Sequence, residues 1–199
     1  MKVLLQDALA ELNIKNSRFI AEVFPVTTQA EAREKLHEIK VKYSDATHVV
    51  HAFVVGLKGE TCGMSDDGEP SGTAGRPVLD VLKGSGITNV LLTVTRYFGG
   101  TLLGTGGLVH AYGDSAKAVL EVCKSEEYVE KSYFKFTTDY SSWQSISYLM
   151  QSYHIQDKKE EYDSAVNVQG KIWASEAKEF AQKIKDGTKG KTEVQLKCI

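Results

Sequence analysis

Two glycine-rich segments carry the residue types best suited to binding chemistry. Residues 65–77 combine acidic side chains with three glycines and Arg76, and residues 96–107 combine Arg96 with two aromatic residues and five glycines. Glycine permits positive φ angles and lets the main chain approach a ligand closely. When such a turn leads into a helix, free amide groups and the positive end of the helix dipole favour an anion. The second segment therefore predicts an anion or nucleic-acid site.

The predicted site brings two arginines together on one open cleft floored by main-chain amides. A guanidinium group grips phosphate through two hydrogen bonds, and Tyr97 or Phe98 would stack on a base. The candidate nucleic-acid or anion-binding residues are Arg76, Arg96, Tyr97, Phe98, Gly99, Gly100, Gly104, Thr105, Gly106 and Gly107. The alternative is that these glycines only form tight turns.

A cluster of acidic residues lies in the first segment, and we name residues 66–71 the acidic loop. Its candidate residues are Asp66, Asp67, Glu69 and Ser71. Carboxylates could hold magnesium, which would make the protein a metal-dependent hydrolase of small molecules. They could equally neutralise Arg76 and Arg96. Binding is favoured over catalysis, so no catalytic residue, metal ligand or cofactor is assigned and enzymatic activity stays open.

The glycine-rich segments do not match the known nucleotide-binding motifs. Six residues span Gly99 to Gly104, but Thr105 follows where a Walker A motif needs lysine, and Val109 stands where a dinucleotide fingerprint needs glycine. ATP and NAD are therefore discounted. His48 and His51 are three residues apart, which on a strand turns them to opposite faces, so they cannot share a metal there.

The first half of the chain must position both segments, and its pattern is that of a mixed α/β unit. We expect a hairpin turning at Lys15-Asn16, with Thr105 as the N-cap of a long helix and Pro77 in the first turn of a short one. Apolar spacing predicts strands over residues 12–14, 19–23, 49–55 and 90–94, and helices over 32–43 and 107–123.

The second half predicts a different unit. Strands are expected over residues 129–138, 155–162, 165–174 and 193–198, with helices over 142–153 and 175–185. This βαββαβ order is that of the ferredoxin-like split motif. Fourteen of the 17 glycines precede residue 114, which supports a change of domain. The predicted fold class is α+β with two domains, residues 1–126 and 127–199.

Composition narrows the class of protein further. Twenty-four basic and 26 acidic residues give a net charge of −2, which excludes a strongly basic nucleic-acid binder but not a local basic face. The sequence has no apolar run of the roughly 20 residues that a membrane span needs. Its three cysteines, Cys62, Cys123 and Cys198, are far apart. This usage fits a reducing compartment, so we expect a cytoplasmic protein.

Three stretches resemble the signature of the IMPACT family, namely residues 65–77, 94–100 and 103–108. Residues 15–21 are similar to the family's opening motif. Tyr140 and the βαββαβ order look like the small C-terminal domain of the bacterial YigZ-type members. The resemblance covers nearly the whole chain.

The resemblance implies a fold and a role. It implies a first domain similar to domain 2 of ribosomal protein S5 and a ferredoxin-like second domain. It also implies a translation-associated regulatory protein, with RNA or the ribosome as the expected partner of the bacterial members. A protein-interaction module is a further alternative, and no membrane partner is expected.

Overall fold

The protein has an α+β fold, as the sequence predicts, in a computed structural model that describes residues 1–198. Residue 199, the end of the predicted second domain, lies outside the described residues. The chain divides into two compact units, Met1–Tyr128 and the part from Val129 onward. No helix among the described residues has the length and apolar character needed to cross a membrane.

The first unit is built on a five-stranded antiparallel sheet with the order β2-β3-β7-β4-β5. A smaller sheet has the order β6-β1-β8. The elements of this unit are β1 (Lys2–Leu4), β2 (Ala8–Ile14), β3 (Ser17–Pro25), α1 (Gln29–Lys42), β4 (His48–Val55), β5 (Thr61–Ser65), α2 (Gly75–Gly84), β6 (Ile87–Thr88), β7 (Val90–Tyr97), α3 (Gly104–Val122) and β8 (Ser125–Glu127).

The hairpin between β2 and β3 has the two-residue turn that its sequence predicts. Lys15 and Asn16 have φ angles of 45° and 67°, and Ile14 pairs with Ser17 across the turn. Two consecutive positive φ angles match the right-handed twist of the flanking strands. The turn therefore sets the register of β3, which pairs along its length with β7.

Strand β7 is buried on both faces, which explains its continuous apolar run. Leu92 and Val94 belong to a core cluster with residues of α2 and α3, whereas Leu91 belongs to a second cluster with residues of α1. Both faces of the sheet are thus covered by helices. The ends of β4 and β7 and the start of α3 remain available to form a site.

The second unit has the ferredoxin-like arrangement that the pattern of its strands and helices predicts. Its elements are β9 (Lys131–Thr138), α4 (Tyr140–Met150), β10 (Ile155–Tyr162), β11 (Val166–Trp173), α5 (Ala174–Gly187) and β12 (Gln195–Cys198). The antiparallel sheet has the order β10-β11-β9-β12, and residues of both helices share its apolar core. Phe134 and Phe180 are fully buried there, with ring centroids 5.2 Å apart.

Helix α4 begins two residues earlier than the sequence predicts. Asp139 is its N-cap, and the Asp139 carboxylate accepts a hydrogen bond from the main-chain amide of Ser142. This side chain satisfies an amide that the first helical turn leaves free. The polar cap, rather than the first apolar residue, therefore decides where the helix starts.

A close main-chain approach makes Gly99 the most constrained glycine of the loop after β7. A Cβ atom at this position would lie 1.9 Å from the main-chain oxygen of Asn16. We expect Gly99→Ala to lower the free energy of unfolding by about 1–3 kcal/mol, because backbone must shift to make room. Gly113→Ala is the matched control, since a Cβ atom there meets nothing within 4 Å. Urea denaturation of both variants measures the difference, and equal stability would contradict the close approach.

Candidate functional site

A cleft of about 430 Å³ opens in the first unit between the acidic loop and the start of α3. Its position follows from the two glycine-rich segments, each of which contributes one wall. The cleft is lined by Thr47, His48, Glu69, Pro70, Arg96, Phe98, Leu102, Leu103, Gly104, Thr105 and Leu108. Five of these eleven residues have apolar side chains, and the charged side chains of Arg96 and Glu69 are buried.

A buried ion pair forms the base of the cleft. Arg96 Nη1 donates to Glu69 Oε1 over 2.6 Å, and the hydroxyl of Tyr112 donates to the same oxygen over 2.7 Å. The side chains of Arg96 and Glu69 are only 6% and 4% exposed. Burial and the hydrogen bond to Glu69 raise the pKa of Tyr112 well above its usual range, so the hydroxyl remains a donor. The charge of Arg96 is therefore balanced within the protein.

The guanidinium group of Arg96 also contacts aromatic rings. It lies 5.5 Å from the ring centroid of Phe19 and 5.4 Å from that of Phe98. Cations at such distances are attracted to the ring face. The main-chain amide of Phe98 donates to Thr47 Oγ1 over 3.0 Å. These contacts hold Phe98 at the wall of the cleft with 45% of its surface exposed.

The prediction that Arg76 and Arg96 converge on one open cleft is wrong. Arg76 lies in the first turn of α2, where its Nε donates to the carboxylate of Asp80 over 2.8 Å, and it does not line the cleft. Asp80 is four residues along the same helix face, which makes it the nearest partner. Arg96 is buried against Glu69. Each arginine thus forms an ion pair with a different carboxylate.

The first turn of α3 leaves its amide groups open at the rim of the cleft. The N-cap is Leu103, which makes no side-chain cap hydrogen bond, so the prediction of Thr105 as N-cap is wrong. Leu103 is 9% exposed, and its burial fixes the turn one residue before the helix begins. Gly104, Thr105 and Gly106 are exposed. Their amides and the positive end of the helix dipole can receive an anion.

Asp66 of the acidic loop serves as a cap for α2. Its carboxylate accepts hydrogen bonds from the main-chain amides of Gly72, Ala74 and Gly75 over 2.9, 3.1 and 2.7 Å. Partial burial alone would raise the pKa of Asp66, but the three amides outweigh it and hold the pKa below its ordinary value. Asp66 therefore fixes the conformation of the loop through the amides that it binds, rather than facing a ligand.

Asp67 anchors the acidic loop to β4 and α1. Its carboxylate accepts hydrogen bonds from Lys40 Nζ and from the main-chain amide of Val49, and its main-chain oxygen lies 2.8 Å from His48 Nδ1. Burial would raise the pKa of Asp67, but Lys40 and the amide outweigh it and lower the pKa. Ser71 is exposed on the same loop.

The three carboxylates of the acidic loop thus serve separate structural contacts. Asp66 binds amides, Asp67 binds a lysine and an amide, and Glu69 binds Arg96 and Tyr112. Within residues 1–198 no group of three or more histidine, cysteine, aspartate or glutamate side chains is placed to hold a metal ion. The acidic loop does not form the shared ligand set that the hydrolase alternative needs.

The remaining predicted residues lie beside the cleft rather than in it. Tyr97 donates its hydroxyl to Asp45 over 2.9 Å, and Arg18 lies 5.9 Å from the centre of the Tyr97 ring. Gly100, with a φ angle of 81°, and Gly99 shape the loop that carries Phe98. The sequence predicts Tyr97, Phe98, Gly99 and Gly100 together, and of these only Phe98 lines the cleft.

Tyr112 falls within the helix predicted over residues 107–123, and the apolar spacing that predicts this helix does not reveal its polar role. The ring is fully buried and packs edge-on against Phe19, as an apolar helix position predicts. Its hydroxyl partner Glu69 is 43 residues away in the chain. A buried tyrosine usually finds a hydrogen-bond partner, and this expectation is the signal that was available.

Comparison with known proteins gives consistent matches. The family model of the Impact N-terminal domain matches residues 15–120. A Haemophilus influenzae protein named "IMPACT family member" is 34% identical over 188 residues, covering 94% of this chain and 91% of that protein. The Escherichia coli K12 protein named "IMPACT family member YigZ" is 32% identical over 179 residues, covering 89% of this chain and 88% of that protein.

One solved structure is similar along the whole chain. It is a crystal structure of an hypothetical protein, with 30% sequence identity and a TM-score of 0.68. The match covers 100% of this chain and 96% of that chain. Both units are therefore present in the similar protein.

Breaking the buried pair should destabilise the first unit strongly. Glu69→Gln removes the carboxylate and leaves the charge of Arg96 buried, so we expect a loss of about 3–5 kcal/mol in the free energy of unfolding. Glu69→Gln combined with Arg96→Met removes both charges and should recover at least half of that loss. Urea denaturation of the two single variants and the double variant gives the coupling energy. Simply additive losses would show that the two residues do not act as a pair.

The amide contacts of Asp66 should make stability depend on pH. Because the pKa of Asp66 is lowered by folding, its carboxylate stabilises the protein above about pH 4, and this contribution is lost as the pH falls through the folded-state pKa. Asp66→Asn should cost about 1–2 kcal/mol at pH 7. Thermal denaturation from pH 7 to pH 2.5 should show this difference shrinking below about pH 4. A difference that stays constant over the range would contradict the assignment.

Proposed function

The chain belongs to the IMPACT family, and on this basis we propose that it acts in translation by binding RNA through the cleft of its first unit. The translational role rests on what the family resemblance implies. The RNA contact rests on the shape and chemistry of the cleft. In this proposal the RNA is either free or part of the ribosome, because both present the same phosphates and bases.

One observation carries the proposal: an aromatic wall and an open helix N-terminus border the same cleft. Phe98 is 45% exposed at one side, and Thr105 in the first turn of α3 lines the same space. An RNA phosphate would accept hydrogen bonds from the amides of residues 104–106, and the attached base would stack on Phe98. A volume of about 430 Å³ is within the ordinary size of a small-ligand site.

The pairing of Arg96 with Glu69 decides which kind of RNA fits. Arg96, which lines the cleft, is already paired with Glu69, so the main-chain amides must hold the phosphate. Recognition then depends on inserting a base between apolar walls, which requires a base that is not already stacked in a duplex. Single-stranded loops, bulges and ends present such bases.

A protein-interaction module is the second candidate, and Leu102 favours it. This side chain is 83% exposed beside the apolar lining of the cleft. A chain terminus with an apolar side chain could place its carboxylate on the amides of α3. Capture of partners by the immobilised full chain, with and without nuclease treatment, separates the two candidates, since only RNA-dependent capture is lost to nuclease.

A charge placed on the first turn of α3 tests the phosphate contact. Thr105→Asp should weaken binding of a labelled single-stranded 12-nucleotide RNA by about tenfold, because the new carboxylate repels phosphate, whereas Thr105→Asn should not. An acidic residue at a helix N-terminus stabilises the helix, so the aspartate variant should melt at or above the wild-type temperature. Fluorescence anisotropy at 50 mM salt measures the affinity.

Phe98→Ala and Tyr148→Ala provide the second arm of this experiment. Phe98 and Tyr148 are both exposed aromatic residues, at 45% and 76%, but only Phe98 lines the cleft. Loss of one stacked base should weaken RNA binding by roughly fivefold to a hundredfold in the first variant and not in the second. Wild-type protein that binds no RNA, or aspartate and asparagine variants of equal affinity, would overturn the proposal.

A further inference from the structure

The sheet of the second unit has one face covered by helices and one open face. We define the open face by the outward side chains of β9 to β12. Along β9, Phe134 and Phe136 are buried while the alternating residues Tyr133 and Lys135 are not, and β11 shows the same alternation. The buried side chains pack with α4 and α5. The outward side chains of this sheet are thus not part of this core.

Lysines are concentrated on the open face. The strand register places Lys135 opposite Gln169, which in turn lies opposite Lys159, and places Lys171 and Lys197 on either side of Tyr133. The five outward lysines are Lys131, Lys135, Lys159, Lys171 and Lys197. They come from all four strands, although the whole chain has a net charge of −2.

Few carboxylates balance these lysines. Asp157 lies 2.7 Å from Lys171, and Glu161 is opposite Asn167 at the edge of the same face. Within residues 1–198, none of the other four lysines lies within 4 Å of a carboxylate. Like charges on neighbouring strands disfavour folding. Stability therefore gives no reason for the array, whereas an anionic partner does.

Aromatic and amide side chains lie among the lysines. The hydroxyl of Tyr133 donates to the side chain of Gln169, and Trp173 is half-buried, with the ring of His154 stacked on it at 3.5 Å. A groove of about 210 Å³ is lined by Lys135, Lys159, Glu161, Asn167, Val168 and Gln169, so one carboxylate lies among its polar groups. The open face thus combines positive charge, ring surfaces and hydrogen-bonding groups within a few residues of one another.

We propose that the open face of the second unit binds single-stranded RNA. Lysines of the face hold the phosphates, the ring of Tyr133 packs against a base, and the amide of Asn167 bonds to a ribose hydroxyl or a base edge. An acidic peptide would also use the lysines, but it has no base to stack on the ring of Tyr133. This surface belongs to the second unit, whereas the cleft belongs to the first.

The salt dependence of RNA affinity tests the open face in the full chain. Each lysine–phosphate contact with a single strand contributes about 0.7 to the slope of log affinity against log salt. Lys135→Gln combined with Lys159→Gln should therefore reduce the slope by about 1.4 for a labelled 12-nucleotide oligouridylate between 50 and 200 mM salt. We expect an affinity loss of about fivefold or more at 50 mM salt.

Two exposed lysines of α5 provide the matched control. Lys178→Gln combined with Lys185→Gln changes the net charge equally but lies on a helix that packs on the other side of the sheet. This control should leave the slope and the affinity unchanged, and all variants should keep the wild-type urea midpoint. An equal effect of both pairs would overturn the proposal, since only overall charge would then be at work.

Further comparisons identify the partner and distinguish binding at the open face from binding at the cleft. Affinity for oligothymidylate DNA equal to that for RNA, or equal competition by polyglutamate, would overturn the assignment to RNA. The effect of the Lys135/Lys159 pair should persist in protein carrying Thr105→Asp. The lysine effect should be present even if the cleft proposal fails. The experiments can therefore reject one proposal without rejecting the other.

Discussion

The buried ion pair of Arg96 and Glu69 is the constraint on which the first unit's site depends. Two charges removed from water must find each other and further hydrogen bonds, or the fold pays several kcal/mol. Here the pair joins the end of β7 to the acidic loop, and the Tyr112 hydroxyl ties it to α3. The same guanidinium contacts the ring of Phe98. One side chain therefore sets the base of the cleft and one of its walls.

Because Arg96 is paired, the positive charge available to an anion differs between the two units. The charges at the floor of the cleft cancel, and its walls are apolar. The cleft therefore selects ligands by their shape and by groups that can accept hydrogen bonds from the α3 amides. In the second unit, four of the five lysines of the open face have no carboxylate within 4 Å among residues 1–198. In our proposals each unit binds both phosphate and base, the first through the α3 amides and Phe98 and the second through its outward lysines and Tyr133. A local cluster of lysines is compatible with the net charge of −2 of the whole chain.

Local signals allowed much of the fold to be predicted. The Lys15-Asn16 turn and the apolar alternation of the second unit act within a few residues, so the hairpin and the βαββαβ order followed from the sequence. The burial of Arg96 did not, because Glu69 is 27 residues away and arginine is ordinarily exposed. The prediction of Thr105 as the N-cap of α3 is wrong because burial of Leu103 outweighs the capping preference of Thr105. The lysines of β9 could be assigned to a charged face only once the strand order placed them beside those of β11 and β12.

Amide chemical shifts of the full chain during titration with a 12-nucleotide oligouridylate test the central claim most directly. If the α3 amides receive a phosphate while Arg96 stays paired, the largest changes should fall on residues 104–107 and on the outward positions of β9 and β11. Changes centred on Arg76 and Asp80 in α2, or a titration that leaves residues 104–107 unmoved, would contradict it.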